Sequence, residues 1–152
     1  MDHPVLPDTM QFLPVDDHDF DAMAELRALA MRPSLERLGR YDPERSRNRL
    51  RATFVPADMR WICHEGARVG FYAVSREAGA MRLDHLYLHP DAQGLGLGRM
   101  VVQAVIAQAR TNGLPLRVTA LRGSESNAFY RRNGFVRAGE SEWDIEYEHA
   151  AP

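Results

Sequence analysis

Along the chain, apolar positions alternate between a two-residue and a three-to-four-residue period, and those switches divide it into strands and helices. Residues 10–15 have the size and apolarity of a first strand. Ala22, Met23, Leu26, Leu29 and Ala30 then recur at helical spacing. Asp16, Asp17 and Asp19 before them supply N-cap candidates and negative charge at the positive end of the helix dipole. Pro33 and Gly39 break that pattern, and Asp42 followed by Pro43 and Glu44 starts a second helix that runs to about Thr53. Residues 59–64 and 68–75 read as strands joined by Glu65, Gly66 and Ala67, a short link suited to a hairpin. Glu77 to Gly79 turns the chain into a strand over 80–88. After a glycine-rich segment, Val101, Val102, Val105, Ile106 and Ala109 share one helical face, which Asn112-Gly113 ends. A strand over 116–121, a helix over 124–132 ended by Asn133-Gly134, and strands over 135–138 and 143–147 complete the order. The pattern predicts one mixed α/β domain over residues 10–152 behind a loose leader, residues 1–9. It contains no internal repeat, low-complexity tract or linker.

With 152 residues, 45% of them hydrophobic, the chain buries one sizeable core and is too short for two ordinary domains. The formal net charge of -2 gives no overall basic field, which argues against nucleic acid or an anionic membrane as partner. No apolar run approaches the roughly 20 residues that span a bilayer. The single cysteine, Cys63, has no partner within the chain, and the N-terminus lacks the layout of a secretory signal. Both point to a soluble protein of the reducing cytoplasm. All 19 basic residues are arginine, so the protein has no lysine of its own to modify.

The segment Gln93-Gly94-Leu95-Gly96-Leu97-Gly98 lies between a predicted strand and a strongly amphipathic helix. Glycines let backbone N–H groups turn toward a phosphate, and the helix N-terminus behind them favours an anion; Arg99 adds charge in the first turn. A tight strand-to-helix connection is the plain alternative. A Rossmann reading fits poorly, because the glycines alternate as G-x-G-x-G and no strand ending in a carboxylate follows some 20 residues on. A P-loop would need Gly-Lys-Ser/Thr, which is missing.

These residues resemble the GNAT superfamily of N-acetyltransferases, whose signature is Q/R-x-x-G-x-G/A between the fourth strand and the third helix. Gln93 to Gly98 fits it completely, and Leu86-Tyr87-Leu88-His89-Pro90-Asp91-Ala92 resembles the lead-in to that loop. Downstream, Asn127-Ala128-Phe129-Tyr130-Arg131-Arg132-Asn133-Gly134-Phe135 resembles the family's later motif. The resemblance covers residues 61–135 well; the first two helices match only in kind. It implies an α/β (α+β) fold, a mixed central sheet of about seven strands flanked by about four helices. It also implies that this sheet is splayed between strands 4 and 5, with acetyl-CoA in the split. The activity implied is acetyl transfer from acetyl-CoA directly to a small-molecule or peptide amine in a ternary complex. Homodimers are common in such a family.

Acyl transfer from a thioester passes through an oxyanion that needs an N–H donor. The resemblance assigns the backbone of Leu86, Tyr87 and Leu88 to the thioester carbonyl and pantetheine, and the spacing of Leu83, Leu86 and Leu88 breaks alternation as a bulge would. Gln93, Gly94, Leu95, Gly96, Leu97, Gly98 and Arg99 fall to the pyrophosphate. Asn127 is assigned to the cofactor or an ordered water, though asparagine near a helix start is also a capping residue. Tyr130 stands where the family commonly places its general acid, against the alternative of a packing tyrosine. Asp84 is the first candidate for the base. The alternatives for Asp84 are to hold the substrate ammonium or to pair with Arg82. His85, with an ordinary pKa of about 6.5, is expected on the opposite face, and a water chain would also serve.

Other groups read as structural. Cys63 lies in an apolar strand. His3, His18, His64, His89 and His149 lack ligand spacing, so no metal is expected, and Ser124 and Ser126 have no paired histidine. Arg32, Arg37, Arg40, Arg45, Arg47, Arg49 and Arg51 are dense where such folds frame the acceptor. They suggest an acceptor with a carboxylate or phosphate, against the plainer reading of a solvated face balanced by Glu36, Asp42 and Glu44. A non-catalytic acyl-CoA-binding or sensing module is the alternative function.

Overall fold

The computed structural model describes residues 9–151, so the leader expected over 1–9 falls almost wholly outside it. The elements in chain order are β1 (Met10–Pro14), α1 (Phe20–Arg37), α2 (Pro43–Ala52), β2 (Met59–His64), β3 (Ala67–Glu77) and β4 (Ala80–Leu88). They continue as α3 (Leu97–Thr111), β5 (Leu116–Leu121), α4 (Ser126–Arg132), β6 (Val136–Glu140) and β7 (Asp144–His149). The strands form one seven-stranded sheet in the order β1-β2-β3-β4-β5-β7-β6. It is an open, mixed α/β sheet with four helices among the described residues, the fold the sequence implied.

The helix ends follow from local chemistry. Asp42 caps α2 by accepting from the N–H of Glu44 at 3.0 Å and of Arg45 at 3.2 Å, with Pro43 at the first helical position. Gly39 ends α1 in the left-handed region (φ 66°), its N–H donating to Glu36 O and that of Arg40 to Leu35 O. Gly113 does the same for α3, with Leu114 N–H reaching Ala109 O.

Pro33 does not end α1, contrary to expectation: the helix continues four residues further, to Arg37. Proline removes the hydrogen bond to Leu29 O, but Pro33 and Leu29 both lie on the exposed side. Water can therefore satisfy that carbonyl. The buried face of α1 is also rotated from the one expected. Phe20, Met23, Ala24, Leu26 and Arg27 are buried, whereas Ala22 and Leu29 are exposed.

The chain divides into two compact units, the first running to Ala73 and adding His85–Leu95, the second comprising Val74–Asp84 and the chain from Gly96 on. In the first, β1, β2 and β3 pair antiparallel, with Phe12 opposite Ile62 and Trp61 opposite Phe71. Glu65 (φ 51°) and Gly66 (φ 81°) make the hairpin turn between β2 and β3. Its core gathers Phe20, Met23, Leu50, Met59, Trp61 and Phe71 from helices and strands, with Phe54 and Tyr87 packed against it. Asp19 closes one edge, accepting from the Trp61 indole at 3.1 Å and from Arg68 at 3.1 Å. Burial works to raise its carboxyl pKa. The hydrogen bonds from Asp16 N–H, Trp61 and Arg68 outweigh that and hold it below the ordinary value.

In the second unit, β5 and β7 pair antiparallel along their whole length and β6 pairs antiparallel with β7. The β4–β5 pairing is parallel and its register comprises Met81↔Leu116, Arg82↔Arg117 and Leu83↔Val118, stopping well short of the end of β4 at Leu88. Val101, Val102 and Val105 of α3 are almost fully buried, as their spacing predicted. Arg82 and Arg117, neighbours across that ladder, are separated electrostatically by Glu77, Glu146 and Glu148.

Candidate active site

The glycine-rich segment begins with a single 3₁₀ turn, Pro90–Ala92, capped by His89, whose Nδ1 accepts from Asp91 N–H at 3.1 Å. Gln93 Nε2 donates to the carbonyl of Leu88 at 3.1 Å, tying the loop back to the strand it leaves. Gly94 and Gly96 both have φ of 80°. An added Cβ would meet nothing within 4 Å at either, so backbone conformation rather than crowding requires glycine there.

Gly96 is the N-cap of α3, a 15-residue helix with no side-chain cap and no acidic residue in its first turn. The leading N–H groups are therefore left for an external acceptor, with the dipole's positive end behind them. Leu95 and Arg99 are exposed, Gly98 half-buried, and Leu97 is buried as the first core residue of α3.

Leu86, Tyr87 and Leu88 end β4, each half-buried, after an alternation in which Leu83 is buried, Asp84 exposed and His85 buried. Gly70 of β3 explains how closely the chain approaches them. A Cβ at Gly70 would lie 2.2 Å from Tyr87 O and 2.8 Å from a Leu88 methyl carbon. The sequence reading passed over this glycine, which sits inside an otherwise ordinary strand pattern. An isolated strand glycine is a recognised sign of close backbone approach.

Beneath Tyr87 lies a polar cluster that the sequence reading also missed. Arg27 of α1 is 6% exposed. Its Nε donates to Tyr87 Oη at 3.2 Å, and its Nη1 donates to the Ser46 hydroxyl at 2.7 Å and carbonyl at 3.1 Å. His85 Nδ1 lies 3.4 Å from the same Tyr87 oxygen, and its Nε2 lies 2.7 Å from Thr53 Oγ1, at the end of α2. Burial, assisted by the Arg27 charge, pushes the His85 pKa down to about 4, so the imidazole is neutral at physiological pH. The available signal was Arg27 itself, placed at i+7 from Phe20 on the stripe that Met23 and Ala24 also occupy.

Asp84 and His85 thus occupy opposite faces of β4, Asp84 exposed and His85 buried. Tyr130 of α4 is 7% exposed, its ring centroid 5.4 Å from those of Phe129 and Phe135. Asn127 holds the turn before α4: its Nδ2 donates to the carbonyls of Leu121 and Ser124, both at 2.9 Å, and its Oδ1 accepts from Tyr147 Oη at 2.9 Å. The Asn127 amide is committed within the protein as a staple of that turn. Tyr130, Asn127 and Asp84 belong to the second compact unit, and Leu86–Leu88 with His85 to the first.

The exposed arginines are largely engaged at the surface. Arg32 pairs with Glu36, Arg47 with Asp21, and the Arg51 guanidinium lies 3.6 Å from the Phe20 ring centroid. Cys63 is buried and its thiol pKa is raised, by burial above all. Among the described residues no cluster of histidine, cysteine or carboxylate side chains is arranged to hold a metal, and no helix is long and apolar enough to cross a membrane.

Residues 56–137 match the family model of the acetyltransferase (GNAT) domain, which includes the whole loop and α4. Among curated proteins, the chain is 38% identical over 80 residues to a 5-NmdU N-acetyltransferase of Pseudomonas phage PaMx11, covering 51% of this chain and 56% of that one. It is 30% identical over 97 residues to the peptidyl-lysine N-acetyltransferase YjaB of Salmonella typhimurium, covering 62% of each. The matches thus span a little over half the length of these relatives. Among solved structures, the apo form of YjaB from Escherichia coli superposes with a TM-score of 0.75 at 17% identity, over 94% of this chain and 99% of that one.

Proposed function

The chain belongs to the GNAT acetyltransferase family, and from that premise we propose that it is an acetyl-CoA-dependent N-acetyltransferase that passes the acetyl group directly to an amine in a ternary complex. The observation that carries the reading is the start of α3: two left-handed glycines, no side-chain cap and no carboxylate in the first turn. That arrangement suits the linked phosphates of coenzyme A. Gln93, Gly94, Leu95, Gly96, Leu97, Gly98 and Arg99 grip the pyrophosphate, and the main chain of Leu86, Tyr87 and Leu88 takes the pantetheine and polarises the thioester carbonyl. Asn127 supports the site by fixing the turn that carries α4.

The amine attacks as the neutral base and the CoA thiolate leaves with a proton. Tyr130 supplies that proton. Asp84, exposed on β4, takes one proton from the bound ammonium before attack, and the second N–H proton, lost as the tetrahedral intermediate collapses, returns to Tyr130 in place of the one given to the thiolate. His85 is less suited to that task, being buried and neutral with a depressed pKa.

Release of free thiol from acetyl-CoA across a panel of amines tests the reading. The native protein should turn over at least one amine, and Tyr130→Phe should lower kcat by roughly 100-fold with little change in acetyl-CoA affinity. Cofactor binding without turnover on any amine would instead support a sensing module.

A further inference from the structure

Arg27 is a buried cation, and among the described residues no carboxylate pairs with it; its partners are a phenol, a hydroxyl and a carbonyl. Neutral partners orient a guanidinium but leave its charge uncompensated, which is costly away from water. One edge remains unused. Nη2 has no partner among the described residues, and no fully buried side-chain nitrogen or oxygen lacks one. Among the described residues Nη2 is thus the edge left open to an external acceptor.

The setting adds to this. The segment from Phe20 to Ala52 carries eight arginines (Arg27, Arg32, Arg37, Arg40, Arg45, Arg47, Arg49 and Arg51) against five carboxylates (Asp21, Glu25, Glu36, Asp42 and Glu44), in a chain whose net charge is -2. His85, beside the same Tyr87 oxygen, is neutral and contributes no second charge. The cluster thus offers one positive charge through one guanidinium edge, which matches a monoanion.

We propose that Arg27, oriented by Tyr87 and Ser46, is the recognition point for a carboxylate carried by the acceptor amine, making the substrate class small amino-carboxylates. This rests on the acetyltransferase reading, because Tyr87 belongs to the strand end that reading assigns to the thioester. Charge-assisted hydrogen bonding through Nη2 holds the carboxylate. The amine end is then left free to face the acetyl group.

The test is calorimetric binding to the CoA-saturated protein of 4-aminobutyrate against butylamine, and of β-alanine against propylamine. The native protein should bind the carboxylated member of at least one pair about 10- to 100-fold more tightly, and Arg27→Lys should cut that preference by at least about tenfold. Equal affinity within both pairs, or no binding by either member, overturns the proposal. A second measurement needs no variant: the Nε–Hε resonance of Arg27 in the native protein should shift saturably on titration with propionate, and a resonance that does not move would count equally against it. Coenzyme A affinity, measured first, reports on the acetyltransferase reading alone. Loss of it with propionate binding retained sinks that reading and leaves the subsite, whereas the reverse outcome sinks only the subsite.

Discussion

A few single residues decide this molecule's behaviour out of proportion to their number, and His85 is the most readily measured. Its folded pKa of about 4 lies below the ordinary 6.5, so the unfolded chain binds the extra proton first. The stability it contributes is complete above about pH 6.5 and is lost as pH falls toward 4. Between pH 7 and pH 5 the loss should be about 2 kcal/mol, visible in urea unfolding and flattened in His85→Gln. Gly70 acts through space instead: Gly70→Ala places a carbon against Tyr87 O and should cost about 1–3 kcal/mol of stability while weakening acetyl-CoA binding, because the strand end that would hold the thioester must shift. At this scale the sequence was only partly legible. The glycines of the loop stood out because three alternate in six residues, whereas Arg27, Gly70 and Thr53 acquire meaning only from partners distant in the chain. Asn127 was read as a ligand of the cofactor or of an ordered water, with helix capping as the plainer alternative, and the carbonyls of Leu121 and Ser124 that its amide holds were not legible.

Elements were read more successfully than residues. The start of α2 at Pro43 and the glycine-terminated end of α3 were marked by caps and stops whose chemistry is local. The error at Pro33 shows where such signals fail, since a proline ends a helix only if the freed carbonyl has no other partner, and exposure supplies water. Rotation of the α1 face has a similar origin. Short apolar residues such as Ala22 and Ala30 say little about direction, and Phe20 and Met23 outweigh them. Asp42→Ala removes both cap bonds of α2 and should cost about 1 kcal/mol by thermal or chemical denaturation. A change under 0.2 kcal/mol would mean the cap bonds contribute little.

For the whole molecule, the order of elements followed from hydrophobic periodicity and the mixed sheet from the resemblance to the GNAT superfamily, and the match to known folds extends over nearly the full chain. The acceptor remained illegible because the first two helices match the family only in kind. The central claim concerns the start of α3, and Gly98 separates binding from folding there: it lies in the first helical turn, where Gly98→Ala favours the helix by up to about 1 kcal/mol while adding a methyl group to the loop proposed to hold the pyrophosphate. The most direct measurement is calorimetric titration of coenzyme A and of pantetheine into the native protein and Gly98→Ala at low salt. The account predicts saturable binding of coenzyme A, at least tenfold weaker binding of pantetheine, and a loss of roughly tenfold or more in the variant without loss of stability. No binding of coenzyme A, or equal affinity for coenzyme A and pantetheine, would contradict it.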